Sequence, residues 1–217
     1  MSLRAVIFDL GGVVLGSPLH AIRDYERERG VPHNFVNRVV ADTAPHGAWS
    51  RLERGELAME AFYEAFAADC RAAGQEIDVR AMFLRMGEAA RPRPAMLGAI
   101  SRLREAGLKV AALTNNWAHD RDERGDLGVD DGTRALQDRF DVFVESSVEG
   151  LRKPDPRIYE LVCERLDVTP DVSAFLDDIG GNLKPARAMG MRTIKVSEPV
   201  EALRELELIV GMSLVGD

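Results

Sequence analysis

Apolar residues in this chain gather into five short runs, each stopped by polar residues. Ala5-Val6-Ile7-Phe8 ends at Asp9, and Gly11-Gly12 then breaks the pattern. Lys109-Val110-Ala111-Ala112-Leu113 runs into Thr114-Asn115-Asn116, and Asp141-Val142-Phe143-Val144 into Glu145-Ser146. Val172-Ser173-Ala174-Phe175-Leu176 runs into Asp177-Asp178, and Arg192-Thr193-Ile194-Lys195-Val196 ends near Ser197. Such runs, rich in β-branched residues, predict strands buried on both faces. Amphipathic helical stretches over residues 94–106, 156–166, 183–189 and 199–210 lie between or after them. Strands alternating with helices predict an α/β fold, with a parallel sheet covered on both faces.

Residues 17–91 read differently, as several helices without a convincing strand. Met59, Phe62, Tyr63 and Phe66 share one face of a predicted helix. Arg91-Pro92-Arg93-Pro94 reads as a stiff connector. The expected division is a core of residues 1–15 and 93–217 with a helical cap over residues 16–92. A cap inserted after the first strand sits over that strand's carboxyl end, where it can close on a ligand and exclude water. Residues 120–133, charged and glycine-containing, are expected to form an exposed loop.

Composition narrows the function classes. With 217 residues, 46% of them hydrophobic, the chain can build a core without disulfides or structural metals. Cys70 and Cys163 stand apart in helical sequence and read as buried free thiols. The 28 Lys+Arg against 36 Asp+Glu give a net charge of −8, which disfavours a nucleic-acid partner. No basic amphipathic helix and no apolar run of ~18 residues stands out, so no membrane association is expected. The start of the chain does not read as a signal peptide, and a cytoplasmic monomer or homodimer is expected.

Candidate chemistry clusters at the strand ends, where open α/β sheets place their ligands. Asp9 can attack phosphorus or ligate Mg²⁺, although taken alone it reads more simply as a turn-capping Asp. Thr114-Asn115 offers a hydroxyl and a backbone N–H to phosphoryl oxygens, or simply starts a loop. Lys153, set among Lys153-Pro154-Asp155-Pro156, can neutralise a nucleophile and a phosphate, although taken alone it reads more simply as a solvated loop cation. Asp177-Asp178 places two acids together after an apolar strand, an arrangement a divalent cation relieves. Asn182 can orient a ligand or Lys153, or merely begin a helix; neighbouring Arg152 reads as solvated.

These residues, in this order, resemble the four motifs of the haloacid dehalogenase superfamily. The chain is similar in particular to the N-terminal phosphatase domain of soluble epoxide hydrolase, and to the related N-terminal domain of acyl-CoA dehydrogenase fusions. The resemblance covers nearly the whole chain. It implies a Rossmann-like core, a helical cap and an Mg²⁺-dependent phosphatase of a phosphorylated small molecule, working through an aspartyl phosphate. Asp9 would be the nucleophile and a metal ligand, with the carbonyl of Gly11 and Asp178 as further ligands. Asp177 would act on the metal directly or through water. Thr114 and Asn115 would bind the phosphoryl group, and Lys153 would stabilise its charge.

One departure matters. The superfamily's phosphatases usually carry an acid/base Asp where this chain has Gly11. Such catalysis is typically worth ~10²–10⁴-fold. Substrates with good leaving groups, or a proton from His20, His33 or His46, would bypass the loss, although each His reads more simply as a surface residue. The alternatives are a metal-free dehalogenase-like hydrolase and a weakly catalytic module that binds a phosphorylated ligand. Trp117 and Trp49 read as packing residues, and Lys184-Pro185 as a helix start or kink.

Overall fold

The computed structural model describes residues 2–117 and 134–216, so the predicted loop at 120–133 lies outside the described residues. Five parallel strands form one sheet: β1 (Ala5–Phe8), β2 (Lys109–Thr114), β3 (Val142–Glu145), β4 (Ser173–Asp177) and β5 (Arg192–Lys195), in the order β3-β2-β1-β4-β5. Between β1 and β2 come α1 (Pro18–Arg29), α2 (Phe35–Thr43), α3 (Ala48–Glu53), α4 (Met59–Ala72), α5 (Val79–Ala89) and α6 (Pro94–Glu105). Helices α7 (Ser146–Glu149) and α8 (Pro156–Leu166) follow β3, α9 (Gly180–Ala188) follows β4, and α10 (Pro199–Val210) follows β5.

The unbroken apolar runs have a direct cause. Successive residues of β1 point to opposite faces, and both faces are covered. Val6 and Phe8 pack with Met96 and Leu103 of α6 and Leu203 and Leu206 of α10. Ala5 and Ile7 pack with Ile158 and Val162 of α8 and Leu183 of α9. Each predicted strand is present to within one residue at either end. The shift at β4 has a consequence, because it takes Asp177 into the sheet itself.

Helices α1 to α5 share an apolar cluster of their own. Phe62 and Phe66 of the predicted face are fully buried there, with ring centroids 5.5 Å apart, and Trp49 packs edge-on to Phe66 at 5.3 Å. Burial of each such side chain contributes roughly 1.5–3 kcal/mol. The chain leaves and re-enters the sheet layer side by side. Gly16 N–H donates to the Arg91 carbonyl (3.0 Å), and Arg93 N–H donates to the Val14 carbonyl (2.9 Å).

Helix α9 departs from expectation. It begins at Gly180 rather than at residue 183, which puts Asn182 in its first turn and Pro185 inside it. Among the described residues no helix is long and apolar enough to cross a membrane.

Candidate active site

Strand order brings the chemistry together. Since β1 lies between β2 and β4, Asp9, Thr114 and Asp177 sit at three adjacent strand ends. The Asp9 N–H continues the ladder by donating to the Leu176 carbonyl (2.9 Å), and its Oδ1 accepts from the Leu10 N–H (2.7 Å). The turn then kinks at Gly12, whose φ is +81°. A Cβ at Gly12 would lie 2.1 Å from Asp178 Oδ2, so only glycine admits both this backbone and the Asp178 carboxylate. Position 11 is different. There φ is −62°, and a Cβ would lie 3.4 Å from the Pro18 ring, so a side chain fits.

Lys153 enters from the segment before α8 and is 1% exposed. Its Nζ lies 2.8 Å from both Asp9 Oδ1 and Asp177 Oδ2. Burial works to lower its pKa, yet the charges and hydrogen bonds of Asp177 and Asp9 outweigh burial and hold the ammonium above its ordinary value. Asn115 fixes the lysine's backbone: its Oδ1 accepts from the Lys153 N–H (2.8 Å), and its Nδ2 donates to the Lys153 carbonyl (3.0 Å). The Asn115 side chain is therefore spent on positioning. Thr114 is buried, and among the described residues its hydroxyl makes only a 3.5 Å contact with the Asn115 carbonyl.

Asp177 is held on both oxygens. Oδ1 accepts from the Ile179 N–H (2.7 Å) and Oδ2 from Lys153. Asn182 Nδ2 lies 3.1 Å from Oδ1 and 3.0 Å from Oδ2. Asn182 is itself anchored, its carbonyl accepting from the Tyr159 hydroxyl at 2.7 Å. Its amide thus orients an acid rather than the lysine. Among the described residues no side chain hydrogen-bonds the Asp178 carboxylate.

Asp9, Asp177 and Asp178 each bring a carboxylate oxygen within 4.8 Å of the others. Burial, then the charges of Asp177 and Asp178, push Asp9 well above the usual carboxylate range, against the opposing pull of Lys153. Burial and Asp177 push Asp178 up to about 6. Three acids facing one lysine leave excess negative charge, which a hard divalent cation with oxygen ligands would remove. The donor set fits Mg²⁺.

A cavity of about 410 Å³ opens on Asp9, Lys153 and Asp178. Its other wall is largely apolar. Leu19 and Ile22 of α1, Val40 and Ala41 of α2, Trp49, Met86 and Trp117 line it. Leu19 and Ile22 are three residues apart, and Val40 and Ala41 follow the lining residue Asn37 by three and four, so each helix contributes one face.

The sequence model of the haloacid dehalogenase-like hydrolases matches residues 3–190. The chain belongs to this family. The hydrolase is 39% identical over 216 residues to mouse acyl-CoA dehydrogenase family member 10, covering 98% of this chain and 20% of the mouse protein. It is 33% identical over 229 residues to pig bifunctional epoxide hydrolase 2, covering 99% of this chain and 40% of the pig protein. The chain thus spans a fifth to two fifths of the length of these two relatives. Against sesquiterpene phosphatase astK of Aspergillus oryzae it is 27% identical over 211 residues, covering 97% of this chain and 98% of the relative. Among solved structures, a HAD family enzyme from Bacteroides thetaiotaomicron in complex with magnesium and inorganic phosphate shares the fold, with a TM-score of 0.60 and 18% identity over 89% of this chain and 94% of that one.

Several residues of the hydrolase stand otherwise than the sequence suggests. Arg152 is not solvated: its Nε and Nη2 both lie 2.6 Å from Glu53 Oε2, and its Nη1 lies 3.3 Å from Ser50 Oγ. Glu53 Oε1 also accepts from Trp49 Nε1 at 3.0 Å. This buried partner on α3 lies 99 positions away, and no local motif announces it. Trp49 and Trp117 pack as expected, Trp117 5.0 Å from Phe83, and both also line the cavity. Arg93 Nη1 donates to the Gly12 carbonyl (2.8 Å), tying the connector to the kinked turn. His20, His33 and His46 are exposed, as expected of surface histidines, and none lines the apolar cavity.

Proposed function

We propose that the protein is an Mg²⁺-dependent phosphatase that hydrolyses phosphate esters of small, partly apolar molecules. The observation that carries this reading is the group of three carboxylates and one buried lysine at adjacent strand ends, beneath an apolar-walled cavity of about 410 Å³. The phosphatase named among the relatives and the magnesium–phosphate complex among the structural neighbours support it. Asp9, Asp178 and the Gly11 carbonyl would hold Mg²⁺, with Asp177 acting directly or through water. The cation supplies Lewis-acid neutralisation of the phosphoryl oxygens.

Asp9 attacks phosphorus, the bond to the leaving oxygen breaks, and the phosphoryl group rests on Asp9 until water displaces it. Lys153 balances charge on Asp9 and on the phosphoryl oxygens, within reach because its backbone is clamped by Asn115. Thr114 offers its hydroxyl, and Asn115 its backbone, to the phosphoryl group. Asn182 serves by holding Asp177. With glycine at position 11 no side-chain acid protonates the leaving oxygen there, so substrates whose leaving groups need little protonation are favoured. A metal-free dehalogenase would leave Asp9, Asp177 and Asp178 facing Lys153 with unbalanced negative charge, which disfavours that reading.

Phosphate release from p-nitrophenyl phosphate, with and without Mg²⁺, tests the proposal alongside Asp9→Asn. Turnover that needs Mg²⁺ and vanishes in the variant is expected. Metal-independent turnover, or none on any phosphate ester, overturns it.

A further inference from the structure

A second cavity, of about 350 Å³, shares Leu19, Asn37 and Asp178 with the first as lining. Its character is opposite. His20 and Arg23 of α1, His33 beyond that helix, Arg93 of the connector and Lys195 of β5 all line it. Two acids also line it, fewer than the three full cations Arg23, Arg93 and Lys195. Glu26 is buried with both oxygens engaged, Oε1 by the Val36 N–H (2.9 Å) and Oε2 by the Asn34 N–H (2.8 Å). Asp178 is grouped with Asp9 and Asp177, where the cation of the proposed function would offset its charge.

Among the described residues, the side chains of His20, His33 and Lys195 make no hydrogen bond or ion pair, and Arg23 reaches only Asp24, at 4.0 Å. Three full cations from separate segments, Arg23, Arg93 and Lys195, therefore converge beside the His20 and His33 imidazoles on one depression of a chain whose net charge is −8. Such a concentration of one sign in a concave surface attracts an anion.

We propose that this cavity binds a second anionic group of the substrate, a phosphate or a carboxylate, while the scissile phosphoryl group lies at Asp9. The inference rests on the phosphatase reading and deepens it: the substrate is a phosphate ester whose body runs from the apolar cavity past Asp178 to a distal anion. One good charge-assisted hydrogen bond changes affinity about tenfold or more.

The test compares kcat/KM for aryl phosphates, whose leaving groups need little protonation, carrying on the ring an alkyl chain of graded length that ends in a methyl, a carboxylate or a second phosphate. The wild type and an Arg23→Ala/Lys195→Ala variant are assayed with p-nitrophenyl phosphate as the single-anion reference. Anion-terminated substrates should exceed their methyl counterparts by about tenfold or more, mainly through KM. Whichever terminus wins identifies the distal group. The variant should lose that advantage while keeping its melting temperature and its turnover of p-nitrophenyl phosphate. No preference for a terminal anion, or one that survives in the variant, overturns the subsite and leaves the phosphatase reading standing. Absence of Mg²⁺-dependent release from every ester overturns both.

Discussion

Lys153→Met removes the cation that Asp9 and Asp177 share while keeping a side chain of similar length. Lys153 is 1% exposed and Asp177 fully buried, so solvent cannot replace the lost charge. Both contacts are 2.8 Å. Removing one partner of a buried ion pair costs about 3–5 kcal/mol, because the other charge stays behind unpaired. For a domain of this size 1 kcal/mol corresponds to roughly 2–4 °C in melting temperature, so a loss of about 6–20 °C is expected without metal. Mg²⁺ should restore part of the loss, since it neutralises the same carboxylates; at a hundredfold excess over Kd a ligand adds about 2.7 kcal/mol. Thermal unfolding of wild type and variant, with and without Mg²⁺, measures both effects. A metal-free melting temperature within about 2 °C of wild type would refute the reasoning, because Lys153 would then not be balancing buried acids.

Gly11→Asp should fold, since φ there is −62° and a Cβ meets only the Pro18 ring at 3.4 Å. It should raise kcat/KM about tenfold or more for alkyl phosphates and little for p-nitrophenyl phosphate, and a linear free-energy plot against leaving-group pKa would flatten accordingly. Gly12→Ala should abolish the stabilisation of the fold by Mg²⁺, because a Cβ would lie 2.1 Å from Asp178 Oδ2; a metal-dependent melting shift equal to that of wild type would count against the site. Glu53→Ala strips Arg152 and Trp49 Nε1 of their shared acceptor and should cost about 1–3 kcal/mol in urea unfolding.

The catalytic end of the fold was legible because its signals are local. A buried parallel strand shows as an unbroken apolar run, and although one acid after it can simply cap the turn, acids after two such strands, one of them a tandem pair, form a pattern that capping alone does not call for. Asp9 and the Asp177-Asp178 pair stand out for that reason, and the pairing of β1 with both β2 and β4 then brings them together. The contacts that refine the site were not legible, because they join distant segments. Glu53 meets Arg152 across 99 positions, and nothing in either neighbourhood requires it. The need for glycine at position 12 comes from Asp178, on another strand end. The three-residue spacing of Leu19 and Ile22 looks the same whether a face meets a core or a cavity. The early start of α9 was hidden because glycine is a weak helix former, yet it lets Asn182 reach Asp177.

The central claim is that Asp9 carries the phosphoryl group. The most direct measurement is mass spectrometry of the protein quenched in acid during turnover of p-nitrophenyl phosphate with Mg²⁺, in wild type and Asp9→Asn. Without an acid/base side chain at Gly11, release of the phosphoryl group from Asp9 is expected to be slow, so a phosphoryl adduct mapping to Asp9 should accumulate alongside a burst of p-nitrophenol. Turnover that proceeds in Asp9→Asn, or an adduct on another residue, would contradict the account.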